Sequence, residues 1–263
     1  MVDLHSHVIY GIDDGAKSRE MAVNMLKLAE LGGTSKLICT PHYFRGRYEK
    51  NFSEVKNELE NLKKIAMDNN IALELYCGQE VYLTNYLLED LEEGKIGTIN
   101  NSKYMLIEMN MNEIPKRAID IIYELKLKGI VPIIAHPERY VPFMDNPELI
   151  NDFIEEGCLF QLNGGSINGK FGSLAKKTTK LFLENNLYSF LGSDGHFDKQ
   201  RSTDLSEAMD SIRAVDKEIL NFYRENGEKV ILNKHIDFEG NLIKKKKVSF
   251  FNFFKKSNIT NRN

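Results

Sequence analysis

The sequence predicts an α/β fold in which parallel strands close into a barrel. Short apolar runs alternate with longer amphipathic segments along the 263 residues, which is typical of repeated strand–helix units. Seven of these runs are strand candidates, and six of the seven have a histidine or a carboxylate at or just beyond their end. The carboxyl ends of parallel strands in a barrel lie on one rim, where such barrels carry their chemistry.

The predicted strands are short and spaced along most of the chain. They span residues 2–4, 36–40, 72–77, 104–108, 131–135, 159–162 and 188–191. Apolar residues at helical spacing predict helices between them. These helices span residues 19–31, 53–69, 115–128, 147–156 and 173–185. Because no Pro- or Ser-rich linker interrupts the series, we expect one domain over residues 1–238.

The composition is that of a globular protein, with 42% hydrophobic and 28% charged residues. No apolar run approaches the roughly 18 residues that a membrane helix requires. The first residues lack the basic and apolar regions of a secretory signal, so we expect a cytoplasmic protein. Cys39, Cys77 and Cys158 lie far apart in apolar surroundings, which predicts buried free thiols rather than disulfides.

A basic segment ends the chain, although the formal net charge is −3. Residues 241–263 hold seven Lys and Arg side chains and no acid, which leaves 28 basic and 38 acidic side chains in residues 1–240. This acidic body argues against nucleic acid as a partner. Residues 239–263 are predicted to be a basic, phenylalanine-rich tail, either a flexible solubilising segment or a peripheral contact with the anionic inner face of the membrane.

The polar residues at the strand ends form a candidate metal centre. His5 and His7 are two residues apart on a strand, so their side chains leave the same face and can bind one ion. Mixed imidazole and carboxylate ligands favour Mn, Fe, Zn or Co, and nine candidates are too many for one ion. Adjacent ions lower the pKa of a shared water toward neutrality, so we expect hydrolysis. The candidate ligands are His5, His7, Asp14, His42, Glu80, Glu108, His136, Asp194 and His196.

Two arginines follow these ligands and indicate an anionic substrate. Arg139 lies three residues after His136, and Arg201 lies five residues after His196. A planar guanidinium suits phosphate oxygens and can offset charge on a leaving oxygen. The alternative is that each arginine only pairs with a neighbouring acid.

The ligands fall within six short motifs. These are His5-Ser6-His7 with Asp13-Asp14-Gly15, Thr40-Pro41-His42, Gly78-Gln79-Glu80, Leu106-Ile107-Glu108, Ala135-His136-Pro137-Glu138-Arg139 and Ser193-Asp194-Gly195-His196. Their order and spacing resemble the polymerase and histidinol phosphatase (PHP) family. More narrowly, residues 1–235 are similar to the bacterial manganese-dependent tyrosine-protein phosphatases of capsular and exopolysaccharide gene clusters.

The resemblance implies a distorted (β/α)7 TIM-like barrel of the PHP type, in which the nine residues hold two or three Mn²⁺ ions. It also implies dephosphorylation of the tyrosine-rich tail of a partner autokinase that regulates polysaccharide synthesis. By the same comparison, Arg139 and Arg201 match the arginines placed around the phosphate.

Three other functions compete with this one. Cys39 and Arg45 have the cysteine-x5-arginine spacing of thiol-dependent tyrosine phosphatases, but Pro41 removes a backbone donor, and burial would raise the pKa of Cys39. The metal ligands could instead serve a small-molecule phosphomonoesterase of the histidinol-phosphatase type. A non-catalytic module with structural metals is the third alternative, although structural sites are usually closed and need fewer ions.

Overall fold

The computed structural model describes residues 1–244, which form a parallel α/β fold. The strands are β1 (Val2–Ser6), β2 (Lys36–Cys39), β3 (His42–Tyr43), β4 (Glu74–Cys77), β5 (Glu80–Tyr82), β6 (Tyr104–Glu108), β7 (Val131–Ala135), β8 (Leu159–Asn163) and β9 (Phe190–Gly192). The helices are α1 (Arg19–Leu31), α2 (Phe52–Asp68), α3 (Leu87–Glu92), α4 (Ala118–Leu127), α5 (Val141–Asp145), α6 (Asn151–Glu155), α7 (Gly164–Ile167), α8 (Ser173–Glu184), α9 (Ser206–Val215) and α10 (Lys217–Ile231). Strands therefore alternate with helices through most of the chain, as the sequence predicts.

The strands form two parallel sheets, ordered β1-β2-β4 and β3-β5-β6-β7-β8-β9. The two sheets are continuous along the chain, because β2 leads through two residues into β3, and β4 leads likewise into β5. Hydrogen bonds hold these breaks together: the Gly78 N–H donates to the Cys39 carbonyl at 2.9 Å, and the Glu80 N–H donates to the Pro41 carbonyl at 3.0 Å. At both breaks the chain thus passes from one sheet to the other while the neighbouring segments stay hydrogen-bonded.

The other edges of the two sheets meet where β1 lies beside β9. The His7 N–H donates to the Gly195 carbonyl at 2.9 Å, and the Asp194 N–H donates to the His5 carbonyl at 2.8 Å. These bonds bring the strand ends of both sheets together, so that the parallel sheets curl around a common interior.

Both sheets share this apolar interior. Side chains from β1, β2, β6, β7, β8 and β9 pack there in one buried cluster, which Val230 and Ile231 of α10 join. The strand residues in the cluster are Val2, Leu4, Ile38, Tyr104, Leu106, Ile133, Ala135, Leu159 and Phe190. Two further apolar clusters lie between the sheets and the surrounding helices, one against β2 and β4 and the other against the larger sheet.

Several elements differ from the sequence prediction. Helix α4 begins at Ala118 rather than at Pro115, and the segment 147–156 is a 3₁₀ turn followed by α6 rather than one helix. Strands β3 and β5 and the helices α3, α5, α7, α9 and α10 were not predicted. The new strands have only two and three residues, too few for a periodic pattern to reveal them.

The described chain stays on the body beyond residue 238. Ile243 is buried, its N–H donates to the Asn151 Oδ1 at 2.8 Å, and its carbonyl accepts a hydrogen bond from the Asn151 Nδ2 at 3.0 Å. The remainder of the predicted basic tail, residues 245–263, lies outside the described residues. No helix within residues 1–244 combines the length and the apolar character needed to cross a membrane.

Gly227 in α10 provides a test of the close packing between this helix and β1. A Cβ added at Gly227 would lie 2.6 Å from the Val2 Cβ, and Val2 is itself buried. At an interior position of a helix, alanine is normally about 1 kcal/mol more favourable than glycine. Here we expect Gly227→Ala to lower the free energy of unfolding in urea by about 1–2 kcal/mol, because overpacking outweighs the propensity gain.

The matched control is Asn221→Ala on the exposed side of the same helix, which should leave the free energy of unfolding within about 0.5 kcal/mol. A Gly227→Ala protein that is more stable than the parent would contradict this description of the α10–β1 contact.

Candidate metal centre

The structure brings all nine candidate ligands together on one rim of the curled sheets. They come from β1 and its following loop (His5, His7, Asp14), from β3 (His42), β5 (Glu80) and β6 (Glu108), and from the residues after β7 (His136) and β9 (Asp194, His196). The strand breaks contribute directly, because His42 and Glu80 are the first residues of β3 and β5 and are paired in register. Side chains far apart in the sequence therefore face one another.

Glu80 lies in the middle of this cluster. Its Oε2 is 3.1 Å from the His5 Nε2, 3.2 Å from the His7 Nε2 and 3.1 Å from the His42 Nδ1. Its Oε1 is 3.0 Å from the His136 Nε2. Four imidazoles thus surround one fully buried carboxylate.

Hydrogen bonds on the outer side of two imidazoles determine which ring nitrogen carries the proton. The His5 Nδ1 is 2.9 Å from the Gln161 Oε1, and the His7 Nδ1 is 2.7 Å from the Asp13 Oδ2. Because these oxygens can only accept, both Nδ1 atoms donate, and in the neutral rings both Nε2 atoms carry lone pairs. The two Nε2 atoms are 3.0 Å apart and face Glu80. Such converging acceptors repel one another unless a cation lies between them.

The ligand atoms fall into three groups, in each of which they lie within 4.8 Å of one another. The groups are His7, Asp14, His42 and His196; His5, His7, Glu80 and Asp194; and His42, Glu80 and Glu108. Each pair of groups shares one residue, which is His7, His42 or Glu80, and the carboxylate of Glu80 is able to bridge two neighbouring ions. His136 completes the cluster through its contact with Glu80.

Two buried carboxylate oxygens of the cluster, the Asp14 Oδ1 and the Glu80 Oε2, have no hydrogen-bond partner among residues 1–244. A buried carboxylate without a donor is costly, whereas a metal ion satisfies it. The donor set contains imidazoles and carboxylates and no thiolate, a combination that suits Mn, Fe, Co or Zn. The residues present therefore fit a centre of more than one metal.

The charges around the cluster also favour cations. Burial lowers the pKa of His42 to about 4. Burial and the charge of Arg139 lower the pKa of His136 to about 4, so both rings are neutral at pH 7 and free to bind metal. Burial and the charges of Glu80 and Asp194 raise the pKa of Glu108 well above its usual value. An added cation would relieve this repulsion among carboxylates.

Both predicted arginines lie beside the cluster and bind Asp194. The Arg201 Nη2 donates to the Asp194 Oδ1 and Oδ2, both at 2.8 Å, and the Arg139 Nη1 donates to the Oδ2. Burial would raise the pKa of Asp194, but these guanidinium groups and His5 hold it well below its usual value. The guanidinium of Arg139 also stacks on Phe171, 4.2 Å from the ring centre. The arginines thus pair with an acid of the site and also line a cavity of about 220 Å³ beside the ligands.

Three side chains that hold the ligands in place were missed by the sequence analysis. Asp13 accepts hydrogen bonds from the His7 ring and from the backbone N–H groups of Gly15 and His42, at 2.7, 2.8 and 3.0 Å. Gln161 binds the His5 ring, and the Asn163 Nδ2 donates to Asp194 at 2.9 Å. The signals available in the sequence were positional. Asp13 precedes a candidate ligand, Gln161 lies in the one predicted strand that has no ligand, and Asn163 directly follows that strand.

The thiol alternative is excluded by the surroundings of Cys39 and Arg45. Cys39 is fully buried, and burial raises the pKa of its thiol well above the usual value. Arg45 is engaged elsewhere, since its Nη2 donates to the Glu89 Oε1 at 2.8 Å and lies 3.0 Å from the Asp90 Oδ1. All three cysteines are buried and unbridged, which confirms the prediction of free thiols.

The fold and the site together define a parallel α/β protein with a rim suited to metal-dependent hydrolysis. Residues 1–232 match the family model described as capsular polysaccharide synthesis, CpsB/CapC. The chain belongs to this CpsB/CapC family.

Named relatives cover almost the whole of the body. Tyrosine-protein phosphatase YwqE of Bacillus subtilis is 32% identical over 237 residues, which cover 90% of this chain and 93% of the relative. Tyrosine-protein phosphatase CpsB of Streptococcus agalactiae is 33% identical over 251 residues, with 90% of this chain and 100% of the relative covered.

A solved structure is similar over the same region. The crystal structures of YwqE from Bacillus subtilis and CpsB from Streptococcus pneumoniae, described as unique metal-dependent tyrosine phosphatases, include a chain with a TM-score of 0.88 and 31% identity. The match covers 93% of this chain and 100% of that chain.

Asp13 provides a test of how the ligands are positioned. Asp13→Asn keeps the volume of the side chain but removes one of the acceptors that orient His7 and His42. We expect the affinity for Mn²⁺, measured by calorimetry on metal-stripped protein, to fall by about 10- to 100-fold, as is typical for groups that orient a metal ligand. Asp68→Asn, at an exposed position on α2, is the matched control and should bind as the parent does. Unchanged affinity in Asp13→Asn would show that Asp13 does not orient the ligands.

Proposed function

We propose that this chain is a metal-dependent tyrosine-protein phosphatase acting in capsular polysaccharide synthesis, and that the nine residues of the rim are its metal ligands. The convergence of imidazole and carboxylate acceptors on Glu80 carries the proposal, because it calls for cations at the mouth of a cavity lined by two arginines. Membership of the CpsB/CapC family and the names of the relatives support phosphotyrosine as the substrate group.

Two or three Mn²⁺ ions are the metals we propose, with Fe, Co or Zn as substitutes. When bound, such ions lower the pKa of water to supply hydroxide and place positive charge beside phosphoryl oxygens. The three overlapping ligand groups support more than one ion. His5 and His7 present their Nε2 atoms inward because Gln161 and Asp13 hold the opposite sides of the rings.

Arg139 and Arg201 are proposed to bind the phosphoryl group. Both guanidinium groups line the cavity beside the ligands and contact the same carboxylate, so an arriving phosphate would meet two forks of donors. The Arg139 side chain is held on Phe171 and is proposed to offset the charge on the departing tyrosyl oxygen.

The curled sheets are proposed to be the distorted (β/α)7 barrel of the PHP type. If β2 with β3, and β4 with β5, are counted as two interrupted strands, seven strand positions surround the shared interior. We propose that residues 1–238 form the catalytic unit and that the basic tail begins at residue 239, with its first residues packed on the body as far as Ile243.

The substrate we propose is the phosphotyrosine tail of an autokinase that regulates polysaccharide synthesis, met at the inner face of the membrane. A small-molecule phosphomonoester of the histidinol-phosphate type is the second candidate, because the same ligands and arginines would bind any phosphate monoester.

We expect the phosphatase activity to require bound metal. The metal-loaded protein should release phosphate from a phosphotyrosine peptide, and EDTA should abolish the release until Mn²⁺ is restored. His136→Ala should lower kcat/KM at least about 100-fold, because it removes an inward ligand and leaves Glu80 without that partner.

Two controls accompany this measurement. His235→Ala removes an exposed histidine and should leave the rate unchanged, as should Cys39→Ser if no thiol participates. Phosphate release that survives chelation and the His136→Ala substitution would refute the metal mechanism.

Arg139 should affect turnover more than metal binding. We expect Arg139→Met, which keeps most of the apolar stem, to lower kcat by about 100-fold or more, because one donor to the developing charge is lost. Arg117→Met, at an exposed position before α4, is the matched control. Metal content per chain should match the parent in both variants. A normal kcat in Arg139→Met would assign Arg139 only to its ion pair with Asp194.

A further inference from the structure

The cavity beside the candidate ligands has an apolar wall that the chemistry proposed above does not use. The wall is formed by Phe44, Tyr48, Tyr82, Met109 and Met111, which line the same cavity as Arg139 and Arg201. We call these five residues the aromatic wall. Met109 is buried, whereas the other four are partly exposed, so apolar surface is available at the mouth of a site that is otherwise charged.

Two rings of the wall are fixed by a tight turn. The Phe44 N–H donates to the Tyr48 carbonyl at 2.7 Å, and the Tyr48 N–H donates to the Phe44 carbonyl at 2.9 Å, so the residues form an antiparallel bridge. Directly opposite residues in such a bridge place their side chains on the same face. The turn thus holds both rings beside the cavity before any ligand arrives, which lowers the entropic cost of binding.

Contacts between rings tie the wall to the metal ligands. The Phe44 ring stacks on the Tyr82 ring with their centres 4.1 Å apart, and the Tyr48 ring is nearly parallel to the His42 ring at 5.6 Å. Tyr82 is paired in register with Glu108, the ligand at the end of β6. A phosphate bound by the arginines and the ligand cluster would therefore carry its ester group close to these rings.

We propose that the aromatic wall binds the phenyl ring of the phosphotyrosyl group and makes the site selective for aryl over alkyl phosphomonoesters. This inference rests on the phosphatase function proposed above and names its specificity-determining residues. An aromatic ring gains both apolar burial and ring–ring contact against such a surface. An alkyl phosphoester, such as phosphoserine, would leave most of the wall in contact with water.

Binding of two phosphonates to the metal-loaded protein tests the inference without turnover. Phenylphosphonate and methylphosphonate share the anionic group and differ in the ring. We expect the parent protein to bind phenylphosphonate about tenfold more tightly, and Phe44→Leu and Tyr82→Leu each to reduce this ratio about threefold to tenfold. The affinity for methylphosphonate should stay the same, which shows that the site is intact. Tyr123→Leu, at an exposed position on α4, is the matched control and should keep the parent ratio.

The outcomes separate this inference from the proposed function. A parent protein without preference for the phenyl compound, or variants that keep the parent ratio, would overturn the role of the wall even if phosphotyrosine peptide is hydrolysed. Loss of binding to both phosphonates in both variants would also overturn it, because the wall would then be needed for the anion rather than for the ring. Failure of the proposed function would appear separately, as absence of metal-dependent hydrolysis in the parent.

Discussion

The structure depends most on the placement of one buried carboxylate among imidazole nitrogens, two of which present lone pairs to it when their rings are neutral. Glu80 lies 3.1 and 3.2 Å from the Nε2 atoms of His5 and His7, whose protons are held on the other side by Gln161 and Asp13. Lone pairs facing lone pairs in a dry environment are unfavourable, and either protons or metal ions must lie between them. The imidazole and carboxylate groups that converge here fit the binding of cations.

The imidazoles meet around Glu80 because the ends of the parallel strands lie on one rim. The backbone comes close to two of these histidines at glycine residues. A Cβ at Gly15 would lie 2.2 Å from the His7 carbonyl oxygen, and a Cβ at Gly192 would lie 2.8 Å from the His5 Cβ. Three residues of the site also adopt left-handed backbone conformations, with φ values of 35°, 50° and 48° at His136, Asp194 and Arg201. Such conformations are uncommon outside glycine, and here they occur at residues whose side chains belong to the site.

The candidate ligands other than Asp14 could be predicted from the sequence because they lie at or just after the ends of apolar runs, and a parallel arrangement of such runs places their ends together. The strand breaks could not be predicted, since β3 and β5 are too short to show a period and are recognised only through their partners. Helix α10 contains Gly227, which local propensity disfavours and which contact with Val2 requires. Gln161 contacts His5, which is 156 residues away in the sequence, and Asp13 contacts His42, which is 29 residues away. The aromatic wall is assembled from three different strand ends. Local pattern carries no information on such contacts.

Whether the nine residues hold adjacent metal ions can be measured in a crystal structure of the Mn²⁺-loaded protein, with anomalous diffraction recorded at the manganese edge. We expect two or three anomalous peaks within the rim, each about 2.0–2.3 Å from nitrogen and oxygen atoms of these histidines and carboxylates. A protein saturated with Mn²⁺ whose peaks lie away from Glu80 and its neighbours would contradict this expectation.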